Sequence, residues 1–481
     1  MKEGLQAPEQ QEKRSTLWLY FAFIFIVFGV KAVIISNFGS SVPFWDQWDS
    51  EADLLYRPWL EGTLRWKDLF TNHNEHRIFT TKILGLLLLY LNKGVWDPMF
   101  EMYVNAAFHT AALFLLLFLL QKGLQAGTRF TFFLFASLLF AVPYGHENLL
   151  AGFQAQFYFL LLFSFIFLWA VTRFGTGSKL WLPVIAFAAF MSFFSLASGA
   201  LTILAGAGTL AIRWLIGIQR TRSTTLLIIL LSAAFVTALY FTPVVPHHAG
   251  LKAKSLLDLI IAILRATGGG VLYLPLVIFM IRQFQKKPAI DDHSWFVFSL
   301  CLWIAGQILA VAYGRSSGIL SSRYLDLFAI GFLLNGYCLL VMLQEAGNGK
   351  FLKNSVLVWV FLLTGGIGFF IPSMTKEIGE KKAVCLRNEE NVKAYLTTGN
   401  YAWLQKTPYE EIPYPDAARL KSLLDIKTIS SILTPAVNSN NTREGLGFYT
   451  EKSKKELYVL GCILMFWGVA FFVVASIEPR K

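Results

Sequence analysis

Residues 16–36 read Thr-Leu-Trp-Leu-Tyr-Phe-Ala-Phe-Ile-Phe-Ile-Val-Phe-Gly-Val-Lys-Ala-Val-Ile-Ile-Ser, with Lys31 as the sole charge. At about 1.5 Å per helical residue this run crosses a hydrocarbon core of about 30 Å. Residues 1–15 are polar and show no cleavable leader, so the run is expected to persist as an anchor. It is soon followed by Trp45-Asp46-Gln47-Trp48-Asp49-Ser50-Glu51-Ala52-Asp53, which holds four acidic side chains within eight residues. Carboxylates at a membrane–water boundary are costly unless paired or used, so the cluster marks a candidate catalytic edge.

The rest of the chain repeats the apolar theme. Of 481 residues, 55% are hydrophobic, 16% aromatic and 15% charged, with a mean hydropathy of +0.54. Soluble domains carry about 25% charged residues, so a bilayer is the expected main solvent. The net charge of +12 comes from Lys and Arg scattered through short loops rather than from a basic stripe, which excludes nucleic-acid binding. Cys301, Cys338, Cys385 and Cys462 have neither disulfide nor zinc spacing.

Apolar runs predict spans at 16–36, 99–121, 130–145, 152–172, 180–196 and 199–213. Further spans are expected at 224–243, 257–281, 294–313, 324–343, 355–372 and 456–476. The shorter run 78–92 reads first as a juxtamembrane or re-entrant helix, and as a true span in a second threading. The fold class is therefore an all-α polytopic membrane protein of about 11–13 transmembrane helices. Placing the Lys/Arg-rich loops, Lys179 among them, in the cytoplasm puts 37–98, 146–151, 244–256, 314–323 and 373–455 outside, although Lys452, Lys454 and Lys455 weigh mildly against the last. The expected organisation is a transmembrane domain over 1–372 with a first external loop at 37–77, a soluble external segment at 373–455, and a final span with a cytoplasmic tail at 456–481. A helix is expected over Thr375–Thr397 and a second, short one near Ala417–Leu433. The expected location is the bacterial inner membrane, with the N-terminus cytoplasmic.

The polar residues interrupting these runs are the candidates for chemistry. Loop 37–77 holds seven carboxylates against four basic side chains. Asp46 and Asp49, three apart, share a face if the segment is helical, and Glu51 follows. Trp45, Trp48, Trp59 and Trp66 suit the lipid interface or stacking on a sugar ring. Asn72-His73-Asn74-Glu75-His76-Arg77 offers two histidines three apart that can share a metal or a phosphate, with Arg77 as a fixed fork. No third ligand or HExxH spacing supports a zinc site, and a divalent metal is left open. His146 and Glu147 break an apolar stretch. Arg315 and Arg323, among Ser316, Ser317, Ser321, Ser322 and Tyr324, form a loop suited to a lipid phosphate.

In order and position these residues resemble the GT-C class of integral membrane glycosyltransferases, such as protein O-mannosyltransferases and aminoarabinose transferases. A first span leads to an acidic motif (Asp46, Asp49), then to a His-containing segment (His73 to Arg77) opening a short helix through Leu91. Asn92-Lys93-Gly94-Val95-Trp96 and a long helix from near Met99 with Asn105 follow, with the arginines and a C-terminal external segment at the end. The resemblance is fullest over 16–121. Gln47 and Trp48 separate the two aspartates where the class has an adjacent acidic pair, and His76-Arg77-Ile78 stands where it has His-Pro-Pro. The resemblance implies a polyprenyl-phosphate-linked sugar donor, Asp46 as general base, Asp49 supporting it, and Arg315 and Arg323 on the donor phosphate.

Such transfer needs a base on the attacking hydroxyl and positive charge on the departing phosphate, and no organic cofactor. Expected partners are the lipid donor, membrane lipids, and a glycan, lipid or protein acceptor. Two other classes compete: an O-antigen-type polymerase or ligase, and a lipid-linked-glycan transporter. The first usually carries its main external loop between late spans. The second predicts charges at mid-membrane and repeated halves, and neither is evident.

Overall fold

In the computed structural model the described residues are 6–178, 180–346, 349–406, 408–443, 445 and 453–477. Lys179 and Lys452, counted among the loop charges, lie outside them. The described chain is helical throughout, and its β-type pairing is limited to two isolated bridges.

Among the described residues, α-helices of eight or more residues run as α1 (Gln6–Phe38), α2 (Phe79–Leu91), α3 (Pro98–Leu120), α4 (Ala126–Ala141) and α5 (Ala155–Arg173). They continue as α6 (Trp181–Phe193), α7 (Gly199–Leu215), α8 (Arg222–Tyr240), α9 (Leu256–Ala266) and α10 (Leu274–Lys286). The last are α11 (Ser294–Gly314), α12 (Ser322–Ala346), α13 (Lys350–Thr398), α14 (Ala417–Leu424) and α15 (Lys454–Ile477). Eight of them are long and apolar enough to cross a bilayer: α1, α3, α5, α8, α11, α12, α13 and α15. This is the architecture of an all-α multi-pass membrane protein. The expected span 257–281 is a pair, α9 and α10, bent by 64° at Gly268-Gly269-Gly270, where all three residues have positive φ. Asn335 of α12 accepts from the Leu276 N–H (2.9 Å) just past the break, meeting a backbone donor left over at the start of α10.

Four expected elements are shorter apolar helices of 13–17 residues: α2, α4, α6 and α7. The ends of α2 are held by one polar lobe. Phe79 stacks on Phe70 at 4.6 Å, and beyond the far end Trp96 N donates to Ile432 O at 2.7 Å. Lys82 donates to Asp68 O and Thr71 O, tying α2 to the first loop.

The apolar core joins α1, α3–α5, α7, α11 and α12. The tightest crossing is α1 on α15. A Cβ on Gly29 would stand 2.8 Å from Gly461 O, and one on Gly461 would stand 2.9 Å from Gly29 O. Only glycine lets the two backbones approach this closely, the small-residue packing typical of lipid-embedded helices.

Two boundaries differ from the sequence reading. The helix α13 runs 49 residues unbroken through Pro372, and the expected 375–397 helix is its continuation. The expected 417–433 helix is two pieces, α14 and Lys427–Ser430. The C-terminal segment lacks an independent core and shares one with the first loop. Val42, Trp48, Leu55 and Tyr56 pack with Trp96, Val392, Leu420, Leu423 and Leu433.

Candidate functional site

A cavity of about 1070 Å³ lies beneath this lobe. Its lining includes Asp46, His73, Glu75, His76, His146, Glu147, Arg315, Arg323 and Tyr324. Nine residues singled out from three separate loops thus line one space. Its apolar lining includes Leu160, Leu161, Leu201, Ala310, Val311 and Leu327 from α5, α7, α11 and α12.

Each polar group is positioned by its own short structure. The chain turns at Trp45 (φ 50°), whose N–H is held by Pro413 O at 2.9 Å, and this aims Asp46 into the cavity. Asp46 Oδ2 stands 3.4 Å from His73 Nε2. Burial opposes ionisation of Asp46, but the hydrogen bond and charge of His73, with Arg323 and His248 beyond, hold its carboxyl below the usual range. Residues 73–76 form a tight hairpin in which His73 N donates to His76 O and His76 N to His73 O, at 2.8 and 2.9 Å. Asn74 takes the left-handed conformation (φ 51°) at its tip, a role asparagine tolerates.

Glu75 on this hairpin bonds Arg315 through Oε1 and stands 2.8 Å from His248 Nδ1 through Oε2. Burial works against its charge, yet His76, Arg315 and His248 keep it below the ordinary carboxylate range. Burial pushes His76 down to about 4, against the pull of Glu75. His76 is therefore neutral near pH 7. Its Nδ1 accepts from Ala197 N (3.4 Å), which leaves Nε2–H facing Glu75 at 3.8 Å.

The second cluster joins the 146–149 turn to α12 and α13. Arg323 Nε bonds Glu147 Oε2 (3.2 Å), and Ser321 donates to the same oxygen (3.0 Å). Burial opposes the charge of Glu147, but Arg323 and Ser321 hold it below its normal range. His146 Nε2 lies 3.3 Å from Glu377 Oε2, and burial pushes this histidine down.

Three expected site residues lie elsewhere. Asp49, expected beside Asp46, accepts from Tyr414 (2.5 Å) and from Arg419 Nη2 and Nε (2.8 and 3.1 Å). Asp46 is the N-cap and Asp49 lies in the first turn of a π-helix over 47–56, whose i→i+5 bonding turns each residue less far around the axis than an α-helix does. Glu51 is buried behind the cavity, where Gln47 Nε2 donates to it (2.7 Å) and to Glu101 (2.9 Å). Burial pushes its carboxyl up to about 8. Arg77 is spent on backbone carbonyls of Phe70 (2.9 Å) and Phe241 (3.3 Å) and does not line the cavity.

Other lining residues went unread in the sequence. His248 sits in the Pro246–Leu251 turn, a polar island between apolar runs. Glu377, Glu380, Lys381 and Val384 fall three to four apart on one face of α13, within the helix expected over Thr375–Thr397. Asn148 Oδ1, Tyr158 Oη and Gln307 Oε1 are buried, line the cavity and have no hydrogen-bond partner in the structure, so the space offers donors and acceptors to a polar ligand. Among the described residues, no group of three or more His, Cys, Asp or Glu side chains is placed to hold a metal ion. Comparison with known proteins returns no matching family model and no matching curated protein.

Proposed function

We propose that this chain is a membrane glycosyltransferase of the GT-C type, moving a sugar from a polyprenyl-phosphate donor to an acceptor hydroxyl on the external face. What supports the reading is one convergence: an ionised carboxylate, two guanidinium groups and an apolar wall meet in a single cavity. An isoprenoid chain gains from apolar burial, a phosphate from paired N–H donors, and an acceptor hydroxyl from a carboxylate acceptor.

The acceptor hydroxyl donates a hydrogen bond to Asp46, which His73 orients. As the hydroxyl oxygen attacks the anomeric carbon, its proton passes to Asp46. The anomeric C–O bond breaks, and its electron pair leaves on the phosphate as polyprenyl phosphate. Arg315 and Arg323 carry that growing negative charge. Asp49 takes no part and serves to hold the lobe together.

The test is transfer in membranes supplied with a polyprenyl-phosphate sugar. Arg315→Ala and Arg323→Ala are each expected to raise the donor requirement by about 1.5–3 kcal/mol, or about 10–100-fold. An unchanged donor requirement in both variants removes the phosphate role.

A further inference from the structure

Phosphate binding alone leaves unexplained an acidic side chain set among Arg315 and two histidines. Glu75 presents both carboxylate oxygens to them, Oε1 to Arg315 and His76 and Oε2 to His248. These partners belong to three separate segments: the first loop, the 246–251 turn and the end of α11. A guanidinium fork accepts a carboxylate or a phosphate through the same pair of N–H donors.

We propose that Glu75 is a stand-in anion: its carboxylate occupies the position that a membrane-borne phosphate monoester takes, and phosphate binding displaces it from Arg315 and His248. The inference rests on the phosphate reading above and adds selectivity to it. With Glu75 in place the empty cluster has little net attraction for soluble anions. A polyprenyl phosphate offsets the displacement of Glu75 by burying its chain on the apolar wall, whereas inorganic phosphate has nothing to bury. Glu75 is also suited to move. It is carried by a four-residue hairpin rather than a helix, so its departure breaks no helical hydrogen bonding.

The experiment titrates the full-length protein in detergent with undecaprenyl phosphate. Glu75→Gln is expected to bind about fivefold more tightly than the wild type or better, and Arg315→Ala more weakly. Equal or weaker binding by Glu75→Gln, with the Arg315→Ala defect retained, makes Glu75 a brace for Arg315 and overturns the inference. Loss of the Arg315 dependence removes the phosphate site and the inference with it. In a second arm, inorganic phosphate is expected to compete in Glu75→Gln more strongly than in the wild type. Equal competition in the two proteins overturns the selectivity. A third measurement needs no substitution. Hydrogen exchange of residues 72–77 in the wild type is expected to quicken when undecaprenyl phosphate binds, and protection there contradicts displacement.

Discussion

Replacing Asp49 by Asn separates the two neighbouring aspartates by what each touches. The Asp49 carboxylate accepts three hydrogen bonds, from Tyr414 and from two nitrogens of Arg419, and Arg419 reaches on to Asp53 at 2.6 Å. A buried charge-assisted hydrogen bond contributes about 1.5–3 kcal/mol and an exposed ion pair about 0.2–1 kcal/mol. The Asp49 and Arg419 side chains are 34% and 37% exposed, so solvent screens them and the clamp falls between these limits, at about 1–2 kcal/mol. Local opening of the C-terminal segment should then rise about 5–30-fold in Asp49→Asn. Limited proteolysis within 399–443 measures it, and a double-mutant cycle with Arg419→Met isolates the coupling. Sugar transfer is expected to persist while proteolysis accelerates. Transfer lost as completely as in Asp46→Asn, with proteolysis unchanged, refutes the assignment of Asp49 to structure.

Gly29→Val should abolish recovery of monodisperse protein by size exclusion, since its Cβ would stand 2.8 Å from Gly461 O; normal yield contradicts the close crossing. Glu51 sets a pH dependence: its folded-state pKa, raised to about 8 from 4.5, contributes stability that is full below 4.5 and lost as pH rises to 8. Melting temperature should therefore fall across that window, and Glu51→Gln should flatten the curve; an unaltered slope contradicts the burial argument. Lys67, exposed on the first loop, reports sidedness. Lys67→Cys in a Cys462→Ser background should react with an impermeant thiol reagent on intact cells, and reaction only after lysis inverts the orientation.

The membrane architecture was legible because apolar length is a local property, readable one run at a time, as in 16–36. The loops carrying Asp46, His73, Arg315 and Arg323 were legible too, because a charged residue beside a span is conspicuous against so apolar a background. What escaped was set by geometry that no window reveals. The direction of Asp49 depends on a π-helix, which residue pattern does not distinguish from an α-helix. Arg77 looked like a ligand fork and became a brace, because the Phe241 carbonyl that engages it lies 164 positions away. The continuity of α13 was hidden by Pro372, normally a helix breaker but tolerated in this long helix.

The proposed transfer turns on Asp46 as the base within the shared cavity. Positioned general bases contribute about 10²–10⁴-fold to rate, so Asp46→Asn, purified from membranes and supplied with polyprenyl-phosphate sugar and acceptor, should lose transfer by that factor. Binding of undecaprenyl phosphate should stay near the wild-type value, since the arginines are untouched. Transfer within a few-fold of wild type would take Asp46 out of the reaction and the proposed chemistry with it.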